Sequence, residues 1–157
     1  MKRTNQSQAQ VSGLTSHTGF WLRFVSNHVS HAFMRKLMNS GVTAAEWVVL
    51  REMYDNEEMS PSRLADLTGM TRGAASKLID RLVAKKLVSR QERTDDRRYQ
   101  DIGLTAVGRR LVPTIAAIAD QNDAEFFTVL SVREHAALVA TLKKLVQAHG
   151  FDQIPTE

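Results

Sequence analysis

Residues 60–104 read SPSRLADLTGMTRGAASKLIDRLVAKKLVSRQERTDDRRYQDIGL. Ser60 followed by Pro61 is a strong helix start, because Pro in the first turn gives up an N–H that has no acceptor within the helix. Leu64, Ala65 and Leu67 form the inward face of a short helix, which Gly69 ends. Thr71 then caps a second helix with Ala75, Leu78 and Leu82 inward. After Lys86 the periodicity changes. Leu87 to Gln91 reads as a strand, Thr94 to Arg98 as a charged hairpin tip, and Tyr99 to Leu104 as the returning strand, with Ile102 and Leu104 on one face. A short helix, a glycine turn, a capped helix and a basic hairpin make a winged helix-turn-helix.

The chemistry of the outward face fits DNA. With Ala75, Leu78 and Leu82 inward, Arg72, Gly73, Ser76, Lys77, Asp80 and Arg81 point out. A helix of this kind enters the major groove and offers its first turns to base edges. Arg72, Ser76 and Lys77 are therefore the candidate base contacts, with Thr71 at the cap beside them and Arg81 as a phosphate contact. Gly73 and Ala74 are small enough for close approach. Arg97 and Arg98 at the hairpin tip can reach an adjacent minor groove or its phosphates. Residues 71–98 hold nine Lys and Arg against four Asp and Glu, a local +5 in a chain whose total is +4, so the rest is close to neutral. A winged helix that had become a protein-interaction module without DNA binding would carry a neutral or acidic outer face instead, and Arg72, Lys77 and Arg81 argue against it.

Outward from this stretch, helices dominate. Leu22, Val25, Val29, Phe33 and Leu37 recur at helical spacing until Gly41. Thr43 with Glu46 matches a capping box and opens a helix through Trp47, Leu50 and Tyr54, followed by a polar turn at 55–59. Thr105 is the expected cap of a long helix through Leu111, Ile115, Ile118 and Phe126. Pro113 inside it should kink the helix or shift its start. Ser131 with Glu134 is a second capping box, opening a last helix with Leu138, Leu142 and Leu145 on one stripe and Gly150 at its end. The fold class expected is mainly α with a small β-hairpin wing.

Composition agrees with a folded chain: 157 residues, 43% hydrophobic and 24% charged, suit one domain with a real core. The absence of Cys excludes disulfides, cysteine nucleophiles and thiol redox sensing. There is no long uncharged apolar run, and the polar N-terminus lacks the apolar segment of a signal peptide, so a cytoplasmic protein is the simplest reading. No paired carboxylates, nucleophile elbow or phosphate-binding glycine loop marks an enzyme, and no cofactor is expected.

Leu64-Ala65 then Gly69, Thr71 with Ser76, Asp80-Arg81-Leu82, Leu87-Val88, Glu92-Arg93, Asp96-Arg97-Arg98, then Leu104-Thr105 and Gly108 form a constellation that resembles the MarR-type transcription regulators. The likeness covers most of residues 18–149. It implies a homodimer, with a helical dimerisation region at 18–42 and 105–150 and a DNA-binding lobe at 43–104; residues 1–17, rich in Gln, Ser and Thr, read as a flexible arm. It further implies binding to a pseudo-palindromic double-stranded DNA operator and repression relieved by a small aromatic or phenolic ligand. By the same resemblance, Asp96 holds the wing arginine in position, with Arg98 favoured over Arg97 for the minor groove. Lys86 departs from the family, which commonly has Gly before the strand. A left-handed Lys there costs ~1 kcal/mol, or else the turn differs.

His28 and His31 lie three apart on the first helix, with Trp21 and Phe24 one or two turns earlier. With no thiol and no third ligand nearby, a metal is not expected. Together with Trp47 or Asp66 opposite, these side chains are the candidate walls of a pocket for an aromatic acid, with ordinary packing or dimer contact as the competing reading. Trp21 and Asp66 resemble a pair found in urate-responsive members of the family.

Overall fold

The computed structural model describes residues 11–56, 58–92 and 100–151, with only the backbone at Glu92. Six helices and one hairpin follow in order: α1 (Thr18–Leu37), α2 (Ala44–Tyr54), α3 (Pro61–Thr68), α4 (Arg72–Ala84), β1 (Val88–Glu92), β2 (Gln100–Leu104), α5 (Ala106–Phe127) and α6 (Val132–His149). Short 3₁₀ turns at Leu14–Ser16 and Met38–Ser40 flank α1. Among the described residues, no helix is long and apolar enough to cross a membrane.

The caps read from sequence form as expected. Thr43 and Glu46 close a full capping box on α2, and Ser131 and Glu134 close one on α6. Ser60, Thr71 and Thr105 each accept a backbone N–H through the side-chain oxygen. These bonds satisfy donors that the first helical turn leaves without partners, and so fix where each helix begins. Gly69 ends α3 at φ 63, a left-handed conformation in which the absence of a β-carbon removes the steric cost.

The core gathers around α2. Leu37, Val49, Leu50, Met53, Leu64, Ile79, Leu82, Ile102, Val112 and Ile115 form one buried cluster, with contributions from α1 to α5 and β2. β1 and β2 pair antiparallel with Val88 opposite Leu104 and Glu92 opposite Gln100. In contrast, α6 has no buried residue. Trp21, Leu22, Phe24 and Val25 on α1 and Leu142, Leu145 and Val146 on α6 are each about half exposed or slightly less.

Several local expectations change. Leu67 is exposed, and Thr68 takes the inward place, its hydroxyl donating to the Leu64 carbonyl at 2.7 Å. Over two turns the buried arc of α3 centres on Leu64, Ala65 and Thr68, which leaves Leu67 at its edge. The turn at 55–59 is not wholly polar: Met59 is buried and exchanges two backbone hydrogen bonds with Ile102, adding a third short rung to the hairpin. Residues 14–16 of the expected arm fold into a turn whose Thr15 carbonyl accepts from the Trp21 indole at 2.9 Å. Leu22 and Val25 continue the α1 stripe but are not buried by their own chain. Pro113 sits eight residues into α5 without shifting its start from Ala106.

Candidate nucleic-acid interface

The helix-turn-helix is α3, the Gly69 turn and α4. Ala75, Leu78, Ile79 and Leu82 anchor α4 in the core, and this fixes which face is left for solvent. Thr71, Arg72, Gly73, Ser76, Lys77, Asp80 and Arg81 are all exposed on that face. Gly73 has nothing within 4 Å of where a β-carbon would stand, so its own chain does not require a glycine there. The expected wing residues Asp96, Arg97 and Arg98 lie outside the described residues.

Two of the basic side chains are committed elsewhere. Arg90 on β1 forms an ion pair with Asp80 of α4, bracing the hairpin against the helix. Lys85, the C-cap of α4, donates to both carboxylate oxygens of Glu46 at 2.8 and 2.7 Å and to the Gly41 carbonyl at 2.8 Å. Burial pushes the Glu46 carboxyl up. The hydrogen bonds from Lys85 and the Thr43 backbone, with the Lys85 charge, outweigh burial and hold it below its ordinary value. Sequence reading assigns Glu46 to capping alone and Lys85 to the basic surface. Charge and chain position carry no signal that two residues 39 apart will meet.

The exit of α4 explains the Leu-Thr-x-x-Gly pattern of 104–108. Lys86 adopts φ 59, so the left-handed cap is retained without a glycine. Its N–H donates to Val83 and that of Leu87 to Leu82, closing the last turn. The Thr105 hydroxyl donates to the Lys86 carbonyl at 2.8 Å while accepting from Gly108 N–H. A β-carbon on Gly108 would lie 2.1 Å from the Leu87 carbonyl oxygen. Thr105 and Gly108 therefore join the start of α5 to the start of the wing.

The candidate ligand residues separate into groups. His28 and His31 border an open depression of about 410 Å³ together with Asn27, Arg35 and Phe126. Asn27 and Arg35 lie four residues to either side of His31 on the same helical face, a spacing that was available in the sequence. The Phe24 ring lies 4.8 Å from that of His28, and Trp21 lies one turn earlier. Trp47 packs against the core instead, and Asp66 is exposed on α3. Neither lines the depression. Among the described residues no cluster of three His, Asp or Glu is arranged to hold a metal.

The family model described as MarR family matches residues 40–98, which run from the turn before α2 past the end of β1 and stop short of β2. A Thauera aromatica protein named as a transcriptional regulatory protein for the hcr operon is 26% identical over 147 residues, 92% of this chain and 89% of its own length. Among solved structures, Bordetella bronchiseptica BpsR, studied for regulation of its DNA binding by 6-hydroxynicotinic acid, is 28% identical with a TM-score of 0.78. The match covers 87% of this chain and 97% of that one. A mutant Escherichia coli MarR in complex with operator DNA is 25% identical with a TM-score of 0.75, covering 82% of this chain and 92% of that one. The chain is thus similar to the MarR family of winged helix-turn-helix transcription regulators, to the family model over residues 40–98 and to these solved structures over most of its length.

Proposed function

We propose that this chain is a homodimeric repressor that reads a pseudo-palindromic operator through α4 and is released by a small aromatic acid. One observation carries the DNA reading: the inner face of α4 is locked in the core while Arg72, Ser76, Lys77 and Arg81 stand exposed together on the outer face. Side chains held this way by a rigid scaffold lose little freedom on contact. Arg72, Ser76 and Lys77 address base edges, Arg81 addresses phosphate, and Asp96, Arg97 and Arg98 serve the wing.

The dimer is supported by the half-exposed apolar stripes of α1 and α6, which a second copy would remove from water. The segments 18–42 and 105–150 then form the dimerisation region and 43–104 the DNA-binding lobe. The release step is supported by the grouping of His28, His31, Asn27 and Arg35 beside Phe126. A ring would pack on the aromatics, and a carboxylate would pair with Arg35 or a His. In BpsR, an aromatic acid regulates DNA binding.

The test is a mobility-shift titration on the DNA upstream of its own gene, with and without aromatic acids. Retarded complexes that salt weakens steeply, and that an aromatic acid dissolves, are expected. Equal affinity for unrelated DNA would count against sequence-specific reading. A complex indifferent to every acid tried up to millimolar concentration would remove the release step alone.

A further inference from the structure

Lys85 looks like part of the basic face but has no donor left for DNA. An ammonium has three hydrogens, and here three acceptor oxygens stand within bonding distance: the two of the Glu46 carboxylate and the Gly41 carbonyl. Glu46 is 1% exposed, so this carboxylate is a fixed point of the core rather than a loose surface charge. Its position in the first turn of α2 and the position of Gly41 at the end of the Met38–Ser40 turn place both acceptors at the α1–α2 junction. On the other side, the Thr105 hydroxyl holds the carbonyl of the adjacent Lys86. The C-terminal end of α4 is thus gripped by the segments leading from α1 into α2 and from β2 into α5, while its N-terminal end carries the candidate base contacts.

We propose that Lys85 is a positioning residue: clamped by Glu46 and Gly41, it ties the end of α4 to the α1–α2 junction and sets the angle at which α4 meets DNA, without touching DNA itself. The proposal rests on α4 being the DNA-reading helix. Leverage makes the clamp matter. A 13-residue helix is about 20 Å long, so a tilt of about 5° at its C-terminal end moves Arg72 by about 1.7 Å. That is enough to break hydrogen bonds to base edges.

The experiment measures operator affinity over a range of salt for the full-length wild type, Lys85→Met, Glu46→Gln, the double variant, Lys77→Ala and Arg72→Ala. Val49→Ala serves as a core-loosened control, and thermal melts show that each is folded at the assay temperature. Lys85→Met and Glu46→Gln should each weaken operator binding by about tenfold. The double variant should be within about twofold of the weaker single one, because both remove one interaction. All three should keep the wild-type salt slope, whereas Lys77→Ala should weaken binding and Val49→Ala should leave it within about twofold. A Lys85→Met slope reduced by about 1 would make Lys85 a phosphate contact and overturn the proposal. So would unchanged affinity in Lys85→Met and Glu46→Gln while Lys77→Ala or Arg72→Ala weakens binding, an outcome that leaves the reading of α4 standing. An equal loss in Val49→Ala would reduce the clamp to general stability and also overturn it. If Lys77→Ala and Arg72→Ala are themselves without effect, the reading of α4 falls and the proposal with it.

Discussion

Gly73 shows what a single residue reveals when its own chain gives it no reason to be there. Inside a helix, Gly is about 1 kcal/mol less favourable than Ala, and a β-carbon at Gly73 would meet open space. Gly73→Ala should therefore raise stability by ~0.5–1 kcal/mol in urea unfolding, yet weaken operator binding if DNA approaches the helix there. Gly108 is the opposite case. A β-carbon 2.1 Å from the Leu87 oxygen forces the backbone of α5 or the wing to move, so Gly108→Ala should cost about 3 kcal/mol. Both glycines are visible in the sequence, but only the neighbours around each distinguish a space that must stay empty from one that is free. Glu46 makes a third point at this scale. Its carboxyl is held below the ordinary value in the folded chain, so it contributes stability that is present above its unfolded pKa and lost as pH falls through the folded one. Wild type should therefore lose stability relative to Glu46→Gln on acidification below about pH 5, read from urea midpoints at successive pH values. A difference that does not narrow as pH falls would show that the carboxylate is not held in this way.

At the scale of elements, the capped helices were legible because their signals are local. Thr43 with Glu46 and Ser131 with Glu134 are each complete within four residues, and both boxes form. The hairpin was legible from the change of period after Lys86. The rung between Met59 and Ile102 was not, since two bonds between segments so far apart in the chain leave no local trace. The Lys85–Glu46 clamp was hidden for the same reason. Leu67 misled because a three-residue spacing fits an inward face nearly as well as the four-residue spacing of Thr68. The turn out of α4 supports a direct test. Lys86 sits at φ 59, where a β-carbon is disfavoured, so Lys86→Gly should stabilise the chain by ~1 kcal/mol. A loss of stability in thermal or urea unfolding would mean that the Lys86 side chain does more than fill the cap.

For the whole molecule, the pattern of exposure matters more than any one contact. The chain gathers its core around α2 but leaves α6 without a buried residue, and the proposed dimer would cover the apolar stripe that α6 exposes. Helical periodicity marks apolar stripes on α1 and α6, but it does not separate the stripe that meets the chain's own core from the stripe that a second copy would cover. α1 contains both: Ala32 and Leu37 are buried by the chain itself, while Trp21, Leu22, Phe24 and Val25 are not. Light scattering should give twice 17.6 kDa, and Leu142→Asp on α6 should shift the mass toward the monomer by placing a charge on the apolar stripe.

Footprinting on the upstream DNA tests most directly whether a symmetric dimer reads DNA through α4. Two protected half-sites related by two-fold symmetry, with centres about 34 Å apart along the duplex, are predicted, and both should fade together in Arg72→Ala. A single unsymmetrical protected block, or a footprint unchanged by Arg72→Ala and Lys77→Ala, would contradict it.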